Sequence, residues 1–190
     1  MNIKDLTTTP NTTEFYPTPP ELIDKMLQDI DFDMAETFLE PSAGKGDIAL
    51  AILKKRNNSY ERRRDNDFSI DCIEIDPYLR NILKFNASEE SIKSIKDEYR
   101  ELNRKAYSNK TDEERGREKY LRSIIDEYCN CENIRIVADD FLRFNTYKHY
   151  DYIIMNPPFS EGEMHLLKAI QMQAKNGGGI CCILNAETIR

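Results

Sequence analysis

Thr37-Phe38-Leu39-Glu40-Pro41-Ser42-Ala43-Gly44-Lys45-Gly46-Asp47 decides the fold. A short β-prone stretch passes through a glycine turn into Ile48, Ala49, Ala51, Ile52 and Leu53, spaced as on a helix. Two glycines at a strand-to-helix handover permit unusual backbone angles and let a ligand approach the chain closely. The pair lacks the third glycine of the dinucleotide fingerprint. Lys45 lies between the glycines rather than after a longer glycine-bounded run, so this is not a phosphate loop either. Glu40, at the end of the strand, suits a ligand with an ammonium group better than a pyrophosphate.

Working outward, the same alternation recurs. Phe68 to Ile75 forms a second strand, followed by a helix from about Pro77 to Asn86. Ile134 to Ala138, Tyr152 to Met155 and Ile180 to Leu184 give three more strands. Met164, Leu167, Ile170 and Ala174, at steps of three and four, mark a helix between the last two. Upstream, Thr18-Pro19-Pro20-Glu21 is expected to start a helix with Thr18 as N-cap, Pro19 at its first position and Glu21 closing a capping box. Leu22, Ile23, Met26, Leu27 and Ile30 form its apolar face. The fold class is therefore α/β, a doubly wound and mostly parallel sheet.

Residues 1–14 are Thr- and Asn-rich without periodicity and are expected to form a flexible arm before one domain over 15–190. Residues 89–128 exceed the alternating plan. Ile92, Ile95, Tyr99, Leu102 and Ala106 share one face, and Ser108-Asn109-Lys110 breaks the pattern. Thr111 with Glu114 then makes a capping box ahead of Leu121, Ile124, Ile125 and Tyr128. Two antiparallel helices inserted between strands 2 and 3 are expected, with acidic and basic residues nearly balanced.

Three further stretches fall at the C-terminal ends of strands, the edge where open α/β sheets bind ligands. Ile73-Glu74-Ile75-Asp76 ends the second strand, and an acid there commonly accepts hydrogen bonds from ribose hydroxyls. The polar loop from Asn57 to Asp67 lengthens the interval between Gly46 and Glu74. Ala138-Asp139-Asp140-Phe141 ends the third and offers a carboxylate for an amino group and a ring for a flat face. Asn156-Pro157-Pro158-Phe159 ends the fourth. The Asn156 carboxamide oxygen and a proline-flanked carbonyl can both accept from one NH2 group, and Phe159 can stack on a planar ring.

Composition bounds the partners. The 190 residues carry 32% charged and 39% hydrophobic side chains and a net charge of −7, the mix of a cytoplasmic protein. No apolar run reaches the length of a membrane span, and Met1-Asn2-Ile3-Lys4-Asp5 lacks a signal peptide's apolar core. Cys129/Cys131 and Cys181/Cys182 are too close for standard zinc-ligand pairs, and only 2 histidines are present, so no metal is expected. A net charge of −7 argues against tight gripping of a nucleic-acid backbone by this chain alone.

Together the glycine loop, Glu74, Asp140 and Asn156-Pro157-Pro158-Phe159 resemble the class I S-adenosylmethionine-dependent methyltransferases, specifically the N6-adenine DNA methyltransferases. Phe15-Tyr16-Pro17-Thr18-Pro19 looks like the segment preceding the glycine loop in enzymes of the gamma motif order. The resemblance implies a Rossmann-like methyltransferase fold, S-adenosyl-L-methionine as cofactor and a flipped adenine in DNA as substrate. It implies that Tyr16, Pro17 and Thr18 line the methionine moiety, with Thr18 near its carboxylate. Glu40, Ser42 and Gly44 would surround the amino and carboxyl groups, with Pro41, Ala43, Gly46 and Asp47 completing the loop. Glu74 would bind the ribose, beside Asp76, and Ile75 would pack on the adenine. Asp140 would receive the adenine amine, with Asp139 as competitor, and Phe141 would cover the ring. Asn156, Pro157, Pro158 and Phe159 would form the catalytic tetrapeptide.

The family's sheet has seven strands followed by a target-recognition region, whereas this chain stops at Arg190, just past the fifth strand. A C-terminally incomplete domain is therefore expected, with a recognition region or partner subunit supplied elsewhere and this chain alone inactive or nearly so. Similar tetrapeptides also serve guanine N2 in ribosomal RNA and a glutamine amide in release factors. A non-catalytic cofactor-binding scaffold is the alternative from a different class.

Overall fold

The computed structural model describes residues 15–58, 68–128, 131–175 and 177–185. The expected arm over 1–14, most of the polar loop before the second strand, Cys129 and the last five residues lie outside them. The elements run α1 (Pro20–Leu27), β1 (Thr37–Glu40), α2 (Asp47–Asn57), β2 (Ser69–Ile73), α3 (Pro77–Asn86), α4 (Lys93–Arg104), α5 (Asp112–Glu127), β3 (Ile134–Ala138), β4 (Tyr152–Met155), α6 (Gly162–Gln173) and β5 (Gly179–Cys182). Among the described residues the strands form one parallel sheet in the order β3-β2-β1-β4-β5. The order reverses at β1 and β4, so a crevice opens beyond their C-terminal ends.

Two cores sandwich the sheet. On one face Phe38, fully buried, packs with Phe32, Phe68 and Tyr152 at centroid distances of 5.8, 5.9 and 5.9 Å. The apolar sides of α1 and α2 cover that cluster. On the other face Leu39, Ile73, Ile153 and Met155 meet Phe141, Tyr150 and Ala169. Asp151 fixes the register at the start of β1, accepting from the Glu36 and Thr37 N–H groups at 2.8 and 2.9 Å. Asp71, buried within β2, is satisfied by Tyr150 Oη at 2.9 Å, Lys148 Nζ at 2.7 Å and Arg135 Nη2 at 2.9 Å.

The inserted hairpin is present between β2 and β3. Thr111 caps α5 with the expected reciprocal bonds to Glu114. Arg117 pairs with Glu98 at 2.7 Å and Lys105 with Glu114 at 2.5 Å, fixing the two helices antiparallel. α4 buries no residue completely.

Two local expectations are corrected. α1 begins at Pro20 with Pro19 as N-cap and no side-chain cap, because a proline side chain carries no acceptor; Thr18 lies one residue outside the cap position, and its hydroxyl accepts from Asn156. In α6 the helix is where the spacing predicts, but the buried face is different. Met164, Leu167 and Ile170 are exposed, while His165, Ala169 and Gln173 face the sheet. Gln173 Nε2 donates to the Tyr150 carbonyl at 3.0 Å and the Gly179 carbonyl at 3.2 Å, so a polar side chain is buried with its hydrogen bonds made.

Candidate active site

The C-terminal ends of β1, β2 and β4, together with the segment before α1, enclose a cavity of about 260 Å³. Its walls include Tyr16, Pro17, Thr18, Glu40, Ser42, Ala43, Gly44, Asp47, Glu74, Ile75, Asp76, Asn156 and Pro158, all assigned from the sequence. Phe15, Lys45, Ile48, Leu79 and Glu161 also line it and were not assigned. Phe15 and Lys45 lie within stretches already singled out. Ile48 and Leu79 belong to the first turns of α2 and α3, which a strand-to-helix handover aims at this edge. Glu161 arrives through a turn in which its N–H donates to the Pro158 carbonyl at 3.1 Å, and the sequence carries no signal for it.

The glycine loop is tied to its neighbour strand. Gly44 has φ +55° and Gly46, the N-cap of α2, has φ +89°, angles that favour glycine. A Cβ on Gly44 would stand 2.7 Å from the Phe15 ring, so the ring lies directly on the loop backbone. The Gly44 N–H donates to Glu74 Oε2 at 2.7 Å, and the Asp76 N–H donates to Glu74 Oε1 at 2.8 Å. Asp76 caps α3 by accepting from the Tyr78 and Leu79 N–H groups at 2.7 and 3.1 Å.

Glu40 is 1% exposed, and among the described residues no lysine or arginine pairs with it. Burial pushes its carboxyl well above the usual range, and Asp47 and Glu74 push the same way, against the opposing pull of the Ala49 N–H. Burial likewise raises Glu74, against the bonds from Asp76 and Gly44. The cavity thus holds acids with too little positive charge. Ser42 Oγ is buried without a hydrogen-bond partner. An uncompensated acid and an orphaned hydroxyl on one loop complement an amino-acid end: an ammonium toward Glu40 and a carboxylate toward Ser42. The donor set fits the methionine moiety of S-adenosylmethionine on this ground.

Asn156 lines the same cavity, at the C-terminal end of β4. Its Nδ2 donates to Thr18 Oγ1 at 3.0 Å and to the Tyr16 carbonyl at 3.3 Å. Among the described residues no group donates to its Oδ1 or to the Pro157 carbonyl. The Phe159 ring meets Tyr16 at 4.8 Å, tilted by 33°, and both rings are exposed. Asn156 Oδ1, on a residue of the cavity wall and three positions before the exposed Phe159 ring, is free to accept from an NH2 group on a flat ring.

Not every assigned residue comes to the cavity. Pro41, Gly46 and Pro157 are buried behind its walls. Asp139 pairs with Arg80 at 3.1 Å, and Asp140 accepts from the Arg143 N–H at 3.3 Å; neither lines the cavity. The expected role of Phe141 as a cover for the adenine is corrected. Its ring is 2% exposed, lies 5.4 Å from the His165 ring beneath the Lys168 ammonium, and belongs to the core.

No family model matches the sequence, and no curated protein matches it. Solved structures do. The chain is similar to the rRNA methyltransferase aviRa from Streptomyces viridochromogenes, with a TM-score of 0.52 and 12% identity over 90% of this chain and 74% of that one. It is similar to cofactor-bound Rv0187 from MTB, with a TM-score of 0.51 and 8% identity over 88% and 56%. A dimethyladenosine transferase from Plasmodium falciparum gives 0.50 and 12% over 92% and 45%. At such identities the likeness is one of architecture. The chain has the Rossmann-like methyltransferase fold, an all-parallel five-stranded core with a helical hairpin between its second and third strands.

Proposed function

We propose that this protein is an S-adenosylmethionine-dependent methyltransferase whose acceptor is the exocyclic N6 amine of adenine in DNA. The observation that carries the reading is the unused acceptor Asn156 Oδ1 on a residue of the cavity wall, three positions before the exposed Phe159 ring that packs on Tyr16. Glu40 and Ser42 hold the amino-acid end of the cofactor, and Glu74, Asp76 and Ile75 lie along the cavity where its nucleoside end extends. The cofactor supplies an electrophilic methyl group on a sulfonium.

The work of the chain is positioning. An adenine amine is a poor nucleophile, because its lone pair is delocalised into the ring. Hydrogen bonds from its two N–H groups to Asn156 Oδ1 and the Pro157 carbonyl favour a pyramidal nitrogen with its lone pair directed out of the ring plane. Holding the reactants in line is worth a large share of such a barrier. The neutral carboxamide suffices, since the proton leaves after the bond to carbon has formed. In a duplex the base must first be flipped out at a cost of a few kcal/mol, which stacking on Phe159 and Tyr16 offsets.

A nucleobase of RNA is the second reading, favoured by the ribosomal-RNA enzyme among the structural likenesses. One experiment separates them. The full-length protein is incubated with methyl-labelled S-adenosylmethionine and, in parallel, duplex DNA, ribosomal RNA and a glutamine-bearing release-factor peptide. Nucleosides and amino acids are then resolved by mass spectrometry. Label in N6-methyladenine from DNA, lost with Asn156→Ala, is the expected result. Label confined to RNA or to glutamine overturns the assignment of the acceptor.

A further inference from the structure

Thr18 lines the cavity and touches Asn156. Its hydroxyl is nearly enclosed, with the residue 9% exposed, and it accepts from Asn156 Nδ2 across 138 positions of sequence. The Tyr16 carbonyl accepts from the same nitrogen and can do nothing else, because a carbonyl has no proton to give. Both partners therefore face the NH2 side of the carboxamide. We propose that Thr18 is a positioning residue: the acceptor-only Tyr16 carbonyl selects the orientation of the Asn156 carboxamide, and the Thr18 hydroxyl holds it there, with its oxygen rather than its NH2 toward the acceptor amine.

The consequence is chemical. A carboxamide turned by 180° would present donors to a donor, and the amine would lose one of its two orienting bonds. Nothing else among the described residues holds the side chain: Asn156 Nδ2 makes its bonds only to the segment before α1. The same segment carries the Tyr16 ring that packs on Phe159, so one short stretch braces both the polar and the aromatic halves of the tetrapeptide. The inference rests on the proposed amine-methylating reading of the site.

The test uses Thr18→Val, which keeps the shape and removes the hydroxyl, and Thr18→Ser, which restores it, in the full-length protein. Selective 15N labelling of asparagine side chains reports the Asn156 NH2 signals without any turnover, identified by their loss in Asn156→Ala. In the wild type and Thr18→Ser these protons should exchange slowly. Thr18→Val should speed their exchange on the order of tenfold, the weight of one hydrogen bond. On the substrate that the wild type methylates, Thr18→Val should lower kcat on the order of tenfold, with KM and the Kd for S-adenosylhomocysteine changed by less than about threefold, and Thr18→Ser should recover most of the rate.

A large loss of S-adenosylhomocysteine binding in Thr18→Val, with kcat at saturating cofactor unchanged, would overturn the inference and leave Thr18 as a cofactor contact. Unchanged Asn156 exchange would overturn it as well. If the wild type methylates no amine but the exchange behaviour follows the hydroxyl, the lock stands and the proposed function fails.

Discussion

The Gly44 N–H donates to Glu74 Oε2 at 2.7 Å, so the acid that ends β2 is a strut of the glycine loop as well as a group of the cavity wall. The contact joins the ends of neighbouring strands β1 and β2 just where the chain must turn away into α2. Substituting Glu74 therefore has two effects that must be separated. Glu74→Ala leaves the Gly44 N–H without its partner, and the loss of a charge-assisted bond of this kind costs roughly 1.5–3 kcal/mol of stability. Glu74→Gln keeps one acceptor and should recover part of it. Urea denaturation without ligand measures the strut, and the further loss in the thermal shift with S-adenosylhomocysteine measures the ligand contact.

The raised carboxyls of Glu40 and Glu74 make stability depend on pH in a definite direction. A carboxyl whose folded pKa lies above its unfolded value near 4.5 binds its proton more tightly in the folded chain. Its contribution is complete below that value and is lost as pH rises through the folded pKa. The ligand-free melting temperature should thus fall as pH climbs from about 4.5 toward the raised values. Glu40→Gln should flatten the profile and raise the melting temperature at neutral pH, while weakening the response to S-adenosylmethionine. A steeper profile in Glu40→Gln would contradict the burial of an uncompensated acid.

Gly44→Ala tests the loop from the backbone side. The new Cβ meets Phe15 at 2.7 Å, and the φ of +55° adds strain that an L side chain seldom accepts. A cost of about 1 kcal/mol or more is expected from the backbone alone. Phe15 should be displaced and cofactor binding weakened more than stability. Calorimetric titration with S-adenosylhomocysteine beside a denaturation curve checks the order of the two effects.

Much of this was legible because the signals were local. Apolar runs at Phe38, Ile153 and Ile154 marked strands, and Pro77 after Asp76 marked a helix start whose Asp76 cap is present. The glycine loop and the tetrapeptide were legible as spacings, and the parallel sheet brings Glu40, Ser42, Ala43, Gly44 and Asp47 of the one and Asn156 and Pro158 of the other to one cavity, while Phe159 stands exposed outside it. What sequence pattern could not show was competition between distant groups. Thr18 has the spacing of a capping box, yet Pro19 takes the cap position and the Thr18 hydroxyl accepts from Asn156. Met164, Leu167 and Ile170 have the spacing of a buried face, yet Gln173, bonded to two carbonyls, and the small Ala169 sit closer to the sheet. Asp139, Asp140 and Phe141 end a strand as expected, but Arg80, Arg143 and the core beside His165 engage them instead.

The aromatic pair should matter for capture of the base rather than for folding, since Tyr16 and Phe159 are 56% and 42% exposed. Phe159→Ala and Tyr16→Ala should each leave the melting temperature within a degree or two. Each should weaken capture of a flipped base by about 1–3 kcal/mol, the range for stacking on an aromatic side chain. Fluorescence of 2-aminopurine placed at the methylated position reports capture directly. If Phe159→Ala bound and flipped the base as the wild type does, Phe159 would have no part in stacking.

With duplex DNA as the proposed substrate, the net charge of −7 predicts weak binding by this chain. Flipping must be offset by contacts to the phosphate backbone and the grooves, and those contacts come largely from lysine and arginine. The inserted hairpin does not change the balance, because Arg117, Lys105 and Lys110 are paired with Glu98, Glu114 and Glu118. Residues 1–190 should therefore bind duplex DNA weakly at physiological salt and show little sequence preference. Joined to a basic recognition region or partner subunit, they should bind tightly, with affinity falling steeply as salt rises. Gel-shift titrations across a salt series check both halves. Tight, sequence-specific binding by residues 1–190 alone would sink the expectation and direct attention to α4 and α5 as a DNA-reading element. Neutralising Arg100 and Arg122 on those helices would then lower both the affinity and the salt slope, as loss of phosphate contacts requires.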